Sequence, residues 1–367
     1  QKLRKLYDRT QQIRMVSFEE GKTEKEEKRE KLKGNKSVDD VLSRKYAYAN
    51  EINLVFIALA RAAGFTAYPV RVVARDSNIF QMGEYDSAQF SAMIVEVTVD
   101  GSRRYFDPAT LYCPFGLLPW PETDTVGLVA DPVNPRLIEV NGRSSGEAVT
   151  RRSGELKMDA EGNVEGDVHL TFEGEEALNW RLLERNQDET ARKKSLEDWI
   201  KSSLPEHSES ALSGSAGWRQ TEGAVTATFH VKTPGYANSV GQRLVVPVAY
   251  FQSPAKKDLF SSARRVHPVQ FRCAAQTQDD FTITLPEGFE LEAVPVAKSR
   301  QQGIAKFSLK VESQNQKIHV QRSTDLNASY FPAEQYPALK VFYQESASAD
   351  EAQLSLRRSA VKAAASH

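Results

Sequence analysis

Residues 46–69 read YAYANEINLVFIALARAAGFTAYP, and the fold of the first part of the chain turns on them. From Asn50 to Ala63 the segment is apolar on nearly every side, which predicts a buried central helix rather than one lying on a surface. Gly64 stands where helices commonly end in a left-handed residue. Ala67–Ala74 then reads as a strand, followed by strands at Ser91–Val99 and Arg103–Phe106. The last two are joined through Asp100-Gly101, a strong hairpin signal. Upstream, Ser37-Val38-Asp39-Asp40 has the form of a capping box opening a short helix through Leu42. Leu3, Leu6, Tyr7 and Ile13 recur at helical spacing within residues 1–16. The run Glu19–Lys33 alternates in charge without an apolar stripe, so an exposed insertion is expected there.

Beyond Pro132 the texture changes. Leu156–Phe172 reads as a hairpin around Asp159-Ala160-Glu161-Gly162, Glu175–Leu204 as helical, and the Ser/Gly-rich run Ser208–Gly217 as a loop. Short alternating segments follow at Ala224–Val231, Arg243–Tyr250, Val269–Arg272, Phe281–Leu285, Ile304–Val311 and Ile318–Gln321, the pattern of an antiparallel sandwich. The expected class is therefore α+β. Residues 1–132 form a core in which the central helix packs on an antiparallel sheet. Residues 150–367 form a mainly antiparallel β-sandwich region with a helical insertion near 175–204, divisible into two subdomains.

With 367 residues, the chain has length for two or three domains at roughly 100–200 residues each. Lys+Arg 48 against Asp+Glu 49 gives a net charge of -1, so no overall field favours nucleic acid or an anionic membrane. The longest apolar stretch, Ile52–Ala60, is interrupted by Asn53 and stops at Arg61, short of the roughly 20 residues of a spanning helix. No transmembrane segment is expected. The chain begins with Gln1 and has no basic-then-apolar leader, which reads as a piece of a longer protein whose export signal has been removed.

The inventory of reactive side chains is short. Cys113 and Cys273 are the two cysteines, and no histidine precedes His169, so no Cys-His pair can form within the first core. Cys113, in the loop-like LYCPFG, and Cys273, in VQFRC, read as packed thiols. The histidines show no metal-ligand spacing and no phosphate-binding GxxxxGK[ST] loop occurs, so no metal or cofactor is expected.

Three separated motifs occur in the order found in one family. They are the 46–69 segment; Gln89-Phe90-Ser91-Ala92 with Ile94 and Val95; and Tyr105-Phe106-Asp107-Pro108-Ala109-Thr110 followed by Pro114–Trp120 (PFGLLPW). In this respect residues 1–130 resemble the bacterial transglutaminase-like superfamily, related to papain-like thiol enzymes. The resemblance places Ala49 on the nucleophilic cysteine, Tyr48 on the acidic residue before it, and Ala92 on the histidine; Asp107 falls on the carboxylate that orients that histidine. A thiol at a helix N-terminus gains thiolate character from the helix dipole and an adjacent imidazolium. A methyl group supplies neither nucleophile nor base. Asp107, just before a proline at a strand end, also fits a local structural role. Tyr48, Asn50 and Glu51 at the helix start, with Phe90 and Ser91, would line the cleft.

The resemblance thus implies a catalytically silent member acting as a binding or scaffolding module for peptide-like or cell-envelope ligands. The rival reading is a thiol protease or acyltransferase whose cysteine and histidine have been substituted by Ala49 and Ala92. Asp159–Gly162, Thr233–Tyr236, Leu285–Gly288 and Glu334-Gln335-Tyr336 with Leu339 resemble the trailing sandwich domain, of unknown function, carried by such proteins. A leading sandwich would lie upstream of Gln1. The implied location is the periplasm or the cell surface.

Overall fold

The computed structural model describes residues 1–17, 32–83, 86–251 and 259–359. The charged run Glu19–Lys33 lies outside the described residues except for Leu32 and Lys33. The chain is α+β with mainly antiparallel sheets, and it divides into two compact units.

The first unit comprises residues 1–143, 174–186 and 218–223. Its elements are α1 (Lys2–Thr10), β1 (Arg14–Met15), α2 (Val38–Arg44), β2 (Tyr46–Ala47), α3 (Ala49–Ala62), β3 (Thr66–Val72), β4 (Ala92–Val99), β5 (Ser102–Phe106), β6 (Thr125–Val129), β7 (Arg136–Val140) and α4 (Glu175–Leu183). Five strands form one antiparallel sheet in the order β5-β4-β3-β6-β7. The local signals act as expected. Ser37 caps α2 by accepting from the Asp40 N–H at 3.2 Å. Asp100 and Gly101 both take positive φ (51° and 75°), as a two-residue hairpin turn between twisted strands requires.

Helix α3 buries Ile52, Asn53, Val55, Phe56, Ile57 and Ala60. Phe56 meets Tyr7 of α1 and Phe106 of β5 edge-on, with ring centroids 5.6 and 5.8 Å apart, in a cluster that also holds Leu3, Ala67, Val95 and Val97. Removing a phenyl ring of this kind from water contributes roughly 1.5–3 kcal/mol. A second cluster gathers Val70, Val72, Ile94, Leu118, Val129 and Val140. Gly127 of β6 serves that packing, since a Cβ there would lie 2.9 Å from Val70 Cγ1.

The first unit runs past Pro132 because β7 completes its sheet, and it takes in α4 because Leu178 packs on Cys113 and Leu117. The Trp120 N–H also donates to Glu175 Oε1 at 2.7 Å. Strands β6 and β7 carry no turn or alternation signal strong enough to read from sequence.

The second unit comprises residues 144–173, 187–217 and 224–367. It contains β8 (Ala148–Met158), β9 (Val164–Gly174), α5 (Glu189–Ser203), β10 (Glu209–Ala216), β11 (Val225–Thr233), β12 (Asn238–Val240), β13 (Arg243–Pro247), β14 (Val269–Gln270), β15 (Ala275–Thr284), β16 (Phe289–Ala293), β17 (Lys298–Gln302), β18 (Ala305–Gln314), β19 (Lys317–Leu326), β20 (Tyr330–Phe331), α6 (Tyr336–Asp350) and β21 (Gln353–Arg358). One sheet has the order β10-β11-β9-β8-β15-β19-β18-β17 and a second the order β12-β13-β21-β16. Phe281 of β15 meets Tyr250 and Phe251, from the segment after β13, at 5.6 and 5.2 Å.

Four features differ from the sequence expectation. Ser208–Gly217 is not a loop but contains β10, whose small residues pair with β11 through the backbone and need no apolar side chains. The 175–204 helix is two helices, broken at 184–188; Asp188 caps α5 by accepting from the Ala191 N–H at 2.8 Å. A further helix, α6, which the sequence reading did not single out, starts at Tyr336 just after Glu334-Gln335, with Pro337 in its first turn, where a missing N–H costs nothing. Strands β8 and β15 pair in parallel.

An ionic chain crosses the inner face of the larger sheet. Arg152 (β8) holds Asp279 (β15) through two hydrogen bonds of 2.6 and 2.7 Å, Arg322 (β19) reaches Asp279 at 3.3 Å, and Arg322 holds Asp350 (α6) through bonds of 2.6 and 2.8 Å. All four side chains are buried.

Candidate functional site

Ala49 is the first residue of α3. Its N–H, one of the orphan donors of a helix start, donates to Ser17 Oγ at 2.9 Å. Glu51 Oε2 accepts from the Tyr48 N–H at 2.8 Å and from Asn35 Nδ2 at 3.1 Å, so this carboxylate caps the helix. Tyr48 and Asn50 are exposed.

The three positions of the expected triad have different surroundings. Ala49 packs beside the cluster of Ile13, Val41, Ala47, Ile52, Val55 and Ala109. Ala92, the first residue of β4, packs beside the cluster of Val70, Val72 and Ile94. Asp107 follows the last residue of β5 and is buried. Its Oδ1 accepts from Asn53 Nδ2 at 2.9 Å and from the Ala109 N–H at 3.1 Å. The same Asn53 amide donates to the Met93 carbonyl at 2.6 Å, and Asn53 Oδ1 accepts from the Ala109 N–H at 3.3 Å. Asn53, one helical turn from Ala49, is therefore the group that ties α3, β4 and the segment after β5 together. The sequence signal for it was its polarity within an otherwise apolar helix.

Electrostatics follow burial. Desolvation raises the Asp107 carboxyl above its ordinary value, against the lowering effect of hydrogen bonds from Thr110, Asn53 and the Ala109 N–H. Tyr7 donates to the carbonyls of Cys113 (2.9 Å) and Asp107 (3.1 Å), and burial pushes its phenol well up. Cys113 is fully buried, with Sγ 3.3 Å from the Leu117 carbonyl, and burial pushes its thiol well up, the reverse of what a nucleophile needs. Neither Cys113 nor the half-buried Cys273 is in a disulfide.

Glu122 was not visible as special in the sequence. It is buried, its Oε2 has no hydrogen-bond partner among the described residues, and burial followed by the charges of Asp107, Glu175 and Asp76 drives its carboxyl well up. Phe90 and Ser91 hold the segment between β3 and β4. Arg71 Nη2 donates to the Phe90 carbonyl at 2.5 Å, the Phe90 ring lies 6.0 Å from that of Phe80, and Ser91 Oγ accepts from the Ala74 N–H at 3.2 Å.

Among the described residues no group of three or more His, Cys, Asp or Glu could hold a metal ion. No helix of the described residues is long and apolar enough to cross a membrane. Around Ala49 and Asp107 the side chains cap α3 and tie it to β4 and the segment after β5; the first unit contains no histidine and its cysteine is a buried thiol.

Comparison with known proteins gives two similarities. Residues 242–356 match a family described as a domain of unknown function with a solved structure (DUF3858). A crystal structure from Parabacteroides distasonis ATCC 8503, named "putative protease", is similar at 12% identity and a TM-score of 0.44, over 87% of this chain and 46% of that one. The chain thus spans about half the length of that protein. No curated protein matches the sequence.

Proposed function

We propose that the first unit is a catalytically silent, transglutaminase-like binding module and that the whole protein works as a scaffold for peptide-like ligands of the cell envelope. The observation that supports it most directly is the engagement of Asp107. Its carboxylate, which the resemblance assigns to an imidazole, is bonded to Asn53 and to the backbone beyond it, while Ala49 and Ala92 carry only methyl groups. Cleavage or transfer of an amide by a thiol enzyme needs a thiolate and a proton acceptor beside it. This unit has neither within reach.

The same arrangement is useful for binding. Asn53 and Asp107 satisfy each other in the interior, so the helix start and the exposed Tyr48 and Asn50 are held on a rigid base. Export to the periplasm or cell surface belongs to the same proposal.

The test is restoration. In Ala49→Cys the helix dipole alone lowers the thiol pKa slightly. Adding Ala92→His should leave the pH profile of alkylation by iodoacetamide unchanged, because Asp107 is turned to Asn53 and the new imidazole joins the cluster around Val70. A further drop of the profile toward neutrality in the double variant would reveal enzyme geometry and overturn the silent reading. So would iodoacetamide-sensitive turnover of a fluorogenic peptide amide by the unmodified protein.

A further inference from the structure

Strand β7 is an edge of the five-stranded sheet, and its backbone polarity can be assigned residue by residue. The Val73 N–H donates to Val126 O at 3.1 Å and the Ala130 N–H to Pro69 O at 2.9 Å, so residues 126, 128 and 130 point their backbone groups at β3. Alternation then turns 125, 127 and 129 toward β7, where they pair with Val140, Ile138 and Arg136. The N–H and C=O groups of Leu137 and Glu139 consequently face away from the sheet. No partner for them occurs among the described residues. Both side chains are exposed, Leu137 to 55%.

The other edges of the three larger sheets are guarded in the usual ways. Strand β5 carries Arg103 and Arg104, β17 carries Lys298 and Arg300, β12 is three residues long, and β10 and β16 have register shifts at Leu212/Gly214 and Leu291/Ala293. Strand β7 pairs with β6 without a shift over five residues and has no proline or lysine within it. Arg136 is drawn onto Glu96 at 2.5 Å, which leaves Glu139 as the charge on the outer rim.

We propose that the outer edge of β7 is a peptide-docking site, at which an extended segment of another protein with the pattern basic-x-apolar adds antiparallel as a sixth strand. Outward N–H and C=O groups spaced two residues apart complement another extended backbone. The flanking side chains set the pattern: an apolar residue opposite Leu137 and Lys or Arg opposite Glu139. A second copy of this chain fits worse. Antiparallel pairing centred on Glu139 sets two carboxylates face to face, centring on Leu137 brings Pro135, which has no N–H, opposite Glu139, and centring on Ile138 buries Leu137 against a carboxylate. The proposal concerns an edge remote in sequence from Ala49 and Ala92 and does not depend on their silence.

The probe is acetyl-Thr-Lys-Thr-Val-Thr-amide added to the full chain, with amide hydrogen exchange as the readout. Saturating peptide should slow exchange at Leu137 and Glu139 about tenfold while Ile138, already paired, changes little. N-methylation of the peptide's Lys and Val amides should abolish the protection. Leu137→Pro removes an outward N–H that β6 does not use, so it should cut affinity at least about tenfold without lowering Tm. Should that variant unfold, Glu139→Lys keeps the test open, because it should reverse the preference in favour of a peptide with Glu in place of Lys. Lack of protection up to about 10 mM peptide, equal binding of the N-methylated peptide, or a dimer whose Leu137 and Glu139 amides are protected without peptide would each overturn the proposal.

Discussion

Asn53 Nδ2 lies 2.9 Å from Asp107 Oδ1, and both side chains are buried, at 1% and 2% exposure. Truncating the amide takes one hydrogen bond away from a buried carboxyl and frees the Met93 carbonyl as well. Asn53→Ala should therefore lower stability by about 2–3 kcal/mol, read as a shift of the urea midpoint at constant m. The double variant Asn53→Leu, Asp107→Leu should lose less than the sum of its single changes, because it removes both polar groups together. Strict additivity would mean that the pair does not interact.

Glu122 makes stability depend on pH in the direction opposite to an ordinary carboxylate. Its folded pKa is raised well above the unfolded value of about 4.3, so above that pH the unfolded chain has released a proton that the folded one keeps. Stability contributed by this site accordingly falls as pH rises from the unfolded pKa toward the folded one. Glu122→Gln keeps a neutral group there and should gain on the wild type as pH rises from 4.5 to 8 in chemical denaturation. A constant difference across that range would show that Glu122 is ionised in the fold.

His230 gives the same pH slope through a favourable interaction rather than a burial penalty. Hydrogen bonds to Asp167 and Glu165, each 2.9 Å, raise its pKa above the ordinary value. Its contribution is complete below the unfolded pKa of about 6.5 and is lost as pH climbs through the folded pKa. A two-dimensional NMR titration should place the imidazole midpoint above that of free histidine, and Asp167→Asn should bring it down. A midpoint unmoved by that change would show that the carboxylate does not hold the ring.

Cys113 should resist modification. Its burial and raised pKa predict negligible labelling by iodoacetamide at pH 8 in the folded protein and full labelling in urea. Cys273, half-buried, should label first; rapid labelling of Cys113 in the native state would mean that the segment after β5 opens.

What the sequence disclosed was local chemistry. Ser37, Gly64 and the Asp100-Gly101 pair act over a few residues, and each sits where its signal put it. Ala49 likewise begins its helix. The features that escaped depend on partners outside the segment itself. Strand β10 is held by backbone pairing to β11, so its Ser and Gly residues gave the signature of a loop. The parallel pairing of β8 with β15 joins residues 127 positions apart at Arg152 and Asp279. Asn53 read as an interruption in an apolar run, and only the arrival of Asp107, Met93 and Ala109 around it gives it a role. Glu122 is unusual solely because of what surrounds it.

The chain of Arg152, Asp279, Arg322 and Asp350 has a consequence for the order in which the protein can be made. During synthesis Arg322 emerges before Asp350, and a guanidinium buried without its full complement of carboxylates carries a penalty of several kcal/mol. Strands β8, β15 and β19 therefore gain little by closing over it until α6 has left the ribosome. The last helix thereby times the completion of the sheet, and a nascent chain paused before residue 350 should remain open to proteases along β19 even though every strand of that sheet has already been translated.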